Sequence, residues 1–479
     1  MPNGVVSNVR QTISNSRLGE KLGANGMEIV RCAEGANRQN PRAENMAKSK
    51  TLSPKIASKN MTQLDRRHFL KLAAVGLAAP ISEQSPKFGQ IAKSEIMLTE
   101  KALRIHRAAI VVDTHNDLLY RSRSKGLSVL EDLDLKSNQP DFHTDIPRLR
   151  KGGIGAQFWV ADGGIAKPGN GRSGPGICLE DINLVHTMVE KYPDVFEMAY
   201  TADDIVRIRR KGKIASLIGV EGGAAIENSL EVLRAFYRLG ARYVTLTWGV
   251  TIDWVDSASD KALHGGLTEF GERVVLEMNR LGMLVDISHV SADAMRHVLR
   301  VSRSPVIASH SSAYALASSN RNVPDDVLRS VGKDGGVVMV NFFPGYLTQE
   351  GAKLDQAYWD NRHKLESDPN LTGAEITKLA DKWDEEHPVP KCSVEKVVDH
   401  IEYIARTAGP DHVGLGSDFD GIPFGPSNLD DVSYFPYITQ VLLDRGHGEK
   451  EIRNILGGNF LRVFRAAQQA AGPELKSRT

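Results

Sequence analysis

The chain has 479 residues, with 60 Lys and Arg against 59 Asp and Glu, 41% hydrophobic and 25% charged residues, the composition of an ordinary soluble globular protein. A formal net charge of +1 without a clustered basic stripe gives no electrostatic footprint for nucleic acid or an anionic membrane, so both partner classes are set aside. Only three cysteines occur, Cys32, Cys178 and Cys392; neither a disulfide scaffold nor a thiolate zinc site is expected, and a Cys178–Cys392 pair stays open because sequence carries no geometry.

Residues 1–60 are rich in Asn, Ser, Gly and Lys without an apolar period, which reads as a disordered segment or an over-long gene start. Arg66-Arg67-His68-Phe69-Leu70-Lys71 and the apolar run Leu72–Pro80 follow. Together they resemble a bacterial twin-arginine export signal. The run is about 9 residues against the roughly 20 that span a bilayer, so no permanent anchor is expected from it. No apolar tail follows Leu475–Thr479 either. The expected organisation is a leader over 1–84 and one domain over 85–479, exported to the periplasm or the extracellular space.

From Ala109 onward, Val- and Ile-rich runs alternate with helical patterns. Eight runs read as strands: Ala109–Asp113, Ile154–Val160, Ile214–Val220, Tyr243–Thr247, Met283–Ile287, Pro305–Ser309, Gly336–Asn341 and His412–Gly416. Near-continuous apolar strands imply a parallel sheet buried on both faces. Between them, Ile226–Leu239 repeats apolar residues at helical spacing with Gly240 after it, and Glu272–Leu281 stops at Gly282, the residue that most easily adopts the left-handed helix stop. Asn322-Val323-Pro324-Asp325-Asp326 opens a further helix, with proline in its first turn and acidic residues favoured there by the helix dipole. Eight strands alternating with helices fit an α/β fold of the (β/α)8 TIM-barrel type. The polar stretch Gly345–Pro390 is too long for a bare loop and reads as a helical insertion between strands seven and eight.

In such a barrel the chemistry sits where strands end. The first strand runs into His115-Asn116-Asp117, the third into Glu221-Gly222-Gly223, the fifth into Ser288-His289, the sixth into Ser309-His310 and the eighth into Ser417-Asp418. Alternate residues of an extended segment face the same side, so His115 and Asp117 can serve one ion. Three imidazoles with carboxylates suit zinc, and two ions would hold a bridging hydroxide at neutral pH and polarise a carbonyl. Asp418 would take the proton of the nucleophile and pass it to the leaving amine. His264 lies in the loop after strand four, where it is a candidate to line the pocket.

These segments, with Arg321-Asn322-Val323-Pro324-Asp325-Asp326 and Gly457-Gly458-Asn459-Phe460, resemble the membrane dipeptidase family of the metal-dependent amidohydrolase superfamily over about Ile105 to Phe464. The resemblance implies a dinuclear zinc barrel cleaving dipeptides, in which His115 and Asp117 hold one ion, His289 and His310 the other, and Glu221 bridges both. It also implies that Arg321 grips the free carboxylate of a small peptide substrate; the alternative for Arg321 is an ion pair with Asp325 or Asp326. The sequence departs from the family after Thr245-Leu246-Thr247, where the usual substrate-contacting histidine is Trp248. Indole only donates and does not titrate near neutrality. Two alternatives therefore stand beside the dipeptidase: a related amidohydrolase acting on another small amide or a lactone, and a metal-loaded binding protein without turnover. A homodimer is among the assemblies left open.

Overall fold

The computed structural model describes residues 96–163 and 174–472; the leader assigned to 1–84, with its arginine pair and Cys32, lies outside them. Nine strands form one parallel sheet: β1 (Val111–Asp113), β2 (Ile154–Asp162), β3 (Phe196–Met198), β4 (Ile214–Glu221), β5 (Ala241–Thr245), β6 (Leu284–Asp286), β7 (Ile307–Ala308), β8 (Val337–Val340) and β9 (Val413–Leu415). Their order is β1-β2-β4-β5-β6-β7-β8-β9. The ring closes just beyond the strand ends, where the Thr114 amide donates to the Leu415 carbonyl at 3.3 Å and Asn116 bridges Phe419. The eight strands of the expected barrel are all present.

The ninth strand, β3, was not expected. It pairs with the first residues of β4, Phe196 opposite Ile214 and Met198 opposite Ser216, before β5 takes over from Ile218 onward. Three residues with a glutamate among them carry too little apolar signal to mark a strand.

Alternate strand residues build the barrel interior, with Ala156 and Phe158 of β2, Ala215 and Leu217 of β4, Tyr243 of β5 and Met339 of β8 in one buried cluster. Phe460, Val463 and Phe464 of the last helix, Asn459–Ala470, pack into the same cluster. The second cluster joins the outward strand residues to the surrounding helices. This two-layer burial is what makes the strands apolar throughout.

The helices differ from expectation mainly at their starts. The segment expected to be helical from Ile226 opens with a 3-10 turn, Gly223–Ile226, then Glu227 and Asn228 with φ of 43° and 55°, and the helix runs Leu230–Arg238. Ser229 caps it by accepting from the Val232 amide, a stronger start signal than the apolar period. Glu269–Leu281 starts three residues earlier than read, capped by Thr268, and ends at Gly282 with φ 72°. In Asp325–Lys333, Pro324 is the N-cap rather than a first-turn residue. The insertion between β8 and β9 is helical as expected, over Pro344–Leu347, Gln349–Glu366 and Gly373–Glu386. Cys178 and Cys392 are both buried and free, which removes the open disulfide. No described helix is long and apolar enough to cross a membrane.

Candidate metal centre and active site

The expected ligands meet on one rim of the barrel. His115 and Asp117 lie beyond the end of β1 rather than in the strand, and Asp117 is the N-cap of the helix Leu118–Ser124. His115 Nε2 is 3.4 Å from Asp117 Oδ2 and 3.4 Å from Glu221 Oε1, at the end of β4. Glu221 Oε1 is also 2.9 Å from His289 Nε2 and 3.3 Å from His310 Nε2. One carboxylate oxygen thus faces three imidazoles. The two nitrogens His289 Nε2 and His310 Nε2 stand 2.9 Å apart.

The backbone is bent to reach this arrangement. His289, Asp418 and Asp420 have φ of 67°, 62° and 68°, a region that non-glycine residues adopt uncommonly. At Gly421 a Cβ would lie 2.4 Å from Asp117 Oδ2 and 2.6 Å from Asp418 Oδ1; only glycine leaves room for both carboxylates.

Burial and charge act together here. Burial lowers His289 to about 4, helped by Arg321, and holds His310 well below the usual range, helped by His115. Both imidazoles are therefore neutral near neutrality, the form that offers a lone pair. Burial alone would raise Glu221, but His115 and His289 pull it well below the usual carboxylate range. Asp117 and Asp418 are pushed up, chiefly by burial and further by Glu221.

Do these residues suit a metal ion? His115 Nε2 and Asp117 Oδ2 are buried without a hydrogen-bond partner, and an orphaned buried donor set is costly unless something fills it. Among the described residues, His115, Glu221 and His310, and also His115, Asp117 and Asp418, place three ligand atoms within 4.8 Å of one another. Nitrogen and carboxylate oxygen, converging and desolvated, fit a divalent cation.

Asp418 is held at both ends. Its Oδ2 accepts from Asn341 Nδ2 at 2.8 Å, while Oδ1 lies 3.9 Å from His115 Nε2. Asn341 itself accepts from the Phe343 amide at 2.7 Å through Oδ1, which fixes the amide orientation. Arg321 is 2% exposed, and its Nε and Nη1 have no partner. The expected alternative pairing does not form: Asp326 takes Arg296 at 2.6 Å and Asp325 takes the Tyr403 hydroxyl at 2.9 Å. Arg321 instead stands over the Tyr346 ring at 5.3 Å.

Trp248 is half-buried, its ring 6.2 Å from the His289 ring and edge-to-face with Trp359 at 6.2 Å. His264 does not line the pocket in its place; its Nε2 meets the Ile252 carbonyl at 2.9 Å and its amide donates to Asp256. The insertion supplies what the sequence reading missed. Trp359 packs on the Trp248 loop, and Asp355, one turn earlier, is pushed up to about 7 by burial, with Arg321 acting against it.

Residues 99–478 match the sequence model of the membrane dipeptidase family, peptidase family M19. The chain belongs to the membrane dipeptidase family. It is 37% identical over 377 residues to dipeptidase 3 of Macaca fascicularis, covering 78% of this chain and 68% of that protein. Dipeptidase 3 of Rattus norvegicus is 37% identical over 381 residues, covering 78% and 69%. Among solved structures, a probable dipeptidase from Pseudomonas aeruginosa superposes with a TM-score of 0.68 at 24% identity, covering 78% of this chain and 98% of its own. A dipeptidase described as a metallo peptidase of the same family gives 0.61 at 25% identity, covering 75% and 99%. The classification as a metallo-dipeptidase, and the metal dependence that goes with it, therefore stand on family as well as on donor geometry.

Proposed function

We propose that this membrane dipeptidase family member hydrolyses short peptides with a free C-terminal carboxylate at a centre of two zinc ions. His115 and Asp117 would hold one ion, His289 and His310 the other, and Glu221 both. The observation that carries this reading is the single Glu221 oxygen set within 3.4 Å of three imidazole nitrogens. Bound there, the ions would supply water activation at neutral pH and polarisation of the scissile carbonyl.

The rest of the chemistry belongs to the chain. Arg321, buried with two free nitrogens, offers a planar, permanently charged fork to the substrate carboxylate. The Tyr346 ring packs beneath the guanidinium at 5.3 Å. Asp418 takes the proton of the attacking water at Oδ1 and returns it to the leaving amine, while Asn341 fixes Oδ2. Burial raises its proton affinity, which suits a group that must hold the proton between the two steps.

Trp248 shapes the side of the site next to His289. Its indole leaves the site without the ionisable donor an imidazole would give, and with Trp359 it sets an apolar wall there. A second reading rests on this wall: the same centre acting on a different small amide or a lactone. Metal analysis of the purified protein together with L-Xaa-D-Xaa and L-Xaa-L-Xaa dipeptides tests the proposal. Bound zinc with dipeptide cleavage supports it; bound zinc with cleavage only of other amides or lactones moves the assignment to the second reading.

A further inference from the structure

Two of the three imidazoles at the centre meet a hydroxyl through their rear nitrogen. His115 Nδ1 lies 3.0 Å from the Tyr243 hydroxyl, and that hydroxyl lies 3.1 Å from the Thr114 carbonyl. A carbonyl oxygen only accepts, so the single phenolic proton goes to Thr114. The hydroxyl oxygen must then accept from His115 Nδ1–H. His310 repeats the arrangement with different residues. Its Nδ1 lies 2.7 Å from Ser309 Oγ, and Ser309 Oγ lies 2.6 Å from Asp286 Oδ2. Asp286 also accepts from the Ser309 amide at 2.8 Å, the Ser288 amide at 3.1 Å and Thr245 Oγ1 at 2.5 Å. A carboxylate surrounded by donors takes the serine proton, which leaves Ser309 Oγ to accept from His310 Nδ1–H.

The fold invests in both contacts. Tyr243 is fully buried in the barrel interior, where a phenylalanine would bury the same ring without a polar atom to satisfy. Its ring occupies the space above Gly219, where a Cβ would lie 2.0 Å from Tyr243 Cζ. His289 differs, since its Nδ1 is buried with no partner.

We infer that Tyr243 and Ser309 are positioning residues of the centre: their hydroxyls accept from Nδ1–H of His115 and His310, so that both rings keep the Nδ1 proton and turn Nε2 toward the ion site as the nitrogen that binds. The inference rests on the ligand assignment above. A histidine free to carry its proton on Nε2 must first move it, and loss of such an outer partner typically weakens metal binding 10–100-fold.

The test measures zinc affinity by competition with a chromophoric chelator in the full chain and in Tyr243→Phe, Ser309→Ala and Ser309→Thr, with melting of each chelator-stripped protein alongside. Thr439→Val is the control, because Thr439 Oγ1 and His106 Nδ1 form a buried hydroxyl–imidazole pair at 2.7 Å outside the centre. Zinc affinity falls about 10–100-fold in Tyr243→Phe and Ser309→Ala, recovers in Ser309→Thr, and is unchanged in Thr439→Val. Unchanged affinity in either hydroxyl deletion overturns the role of that residue. An equal loss in Thr439→Val overturns both, since the effect would then be general destabilisation. Absence of zinc from the parent chain would instead strike the ligand assignment.

Discussion

The indole of Trp248 meets that of Trp359 edge to face with ring centres 6.2 Å apart. One belongs to the loop after β5 and the other to the insertion helix Gln349–Glu366, so the insertion forms part of the active-site wall. The resemblance to the family implies a substrate-contacting histidine at the position Trp248 occupies. Trp248→His is expected to raise kcat on dipeptides, since one preorganised donor at the reacting carbonyl is worth on the order of 10²–10³ in rate. Steady-state rates at equal zinc content check this; unchanged or lower turnover would show that the loop has been rebuilt around indole.

Arg321 is expected to act in binding more than in the chemical step. Arg321→Met should raise KM for dipeptides by a factor on the order of 10², the cost of removing one partner of a buried charge pair, and should leave dipeptide amides, which lack the carboxylate, little changed. Equal loss on both substrates would mean that the fork, buried over Tyr346, serves the fold instead.

The eight barrel strands were legible from their apolar runs, and the meeting of His115, Asp117, Glu221, His289, His310 and Asp418 was legible because the first, third, fifth, sixth and eighth runs lead into His, Asp or Glu and a parallel barrel puts those ends on one rim. What escaped the sequence depends on contacts across the fold. Asn341 closes a strand as an unremarkable amide, and only the approach of β8 to the residues after β9 shows that it holds Asp418. Trp359 sits in a polar helix whose surface pattern gives no hint of the Trp248 loop. The start of the helix Leu230–Arg238 was displaced for a local reason: Glu227 and Asn228 take positive φ and Ser229 caps after them, features an apolar period does not register. His264 illustrates the opposite error, a histidine near the pocket in sequence that spends its ring on the Ile252 carbonyl.

His400 gives a pH signature independent of the metal. Burial pushes it down to about 4 from 6.5, with its Nδ1 accepting from the Ala313 amide at 3.0 Å and its Nε2 on the Leu347 carbonyl at 3.2 Å. The folded state holds it neutral while the unfolded chain protonates it below about 6.5, so its contribution to stability is complete above that pH and is lost as pH falls toward 4. The shift corresponds to roughly 3 kcal/mol over that window. Denaturant titrations of His400→Gln against the parent, both stripped of metal, should therefore show a stability difference that shrinks by that order between pH 7 and pH 4. A difference that stays constant with pH would show that the fold does not depress the pKa of His400.

Asp418→Asn bears most directly on the central claim, because it removes one ionisable oxygen and keeps the hydrogen-bonding shape beside Asn341. Parent and variant, reconstituted with zinc and assayed for metal content and dipeptide hydrolysis in the same preparation, should hold comparable metal while only the parent turns over. Equal turnover by the variant, or no dipeptide cleavage by a fully metal-loaded parent, would contradict the account.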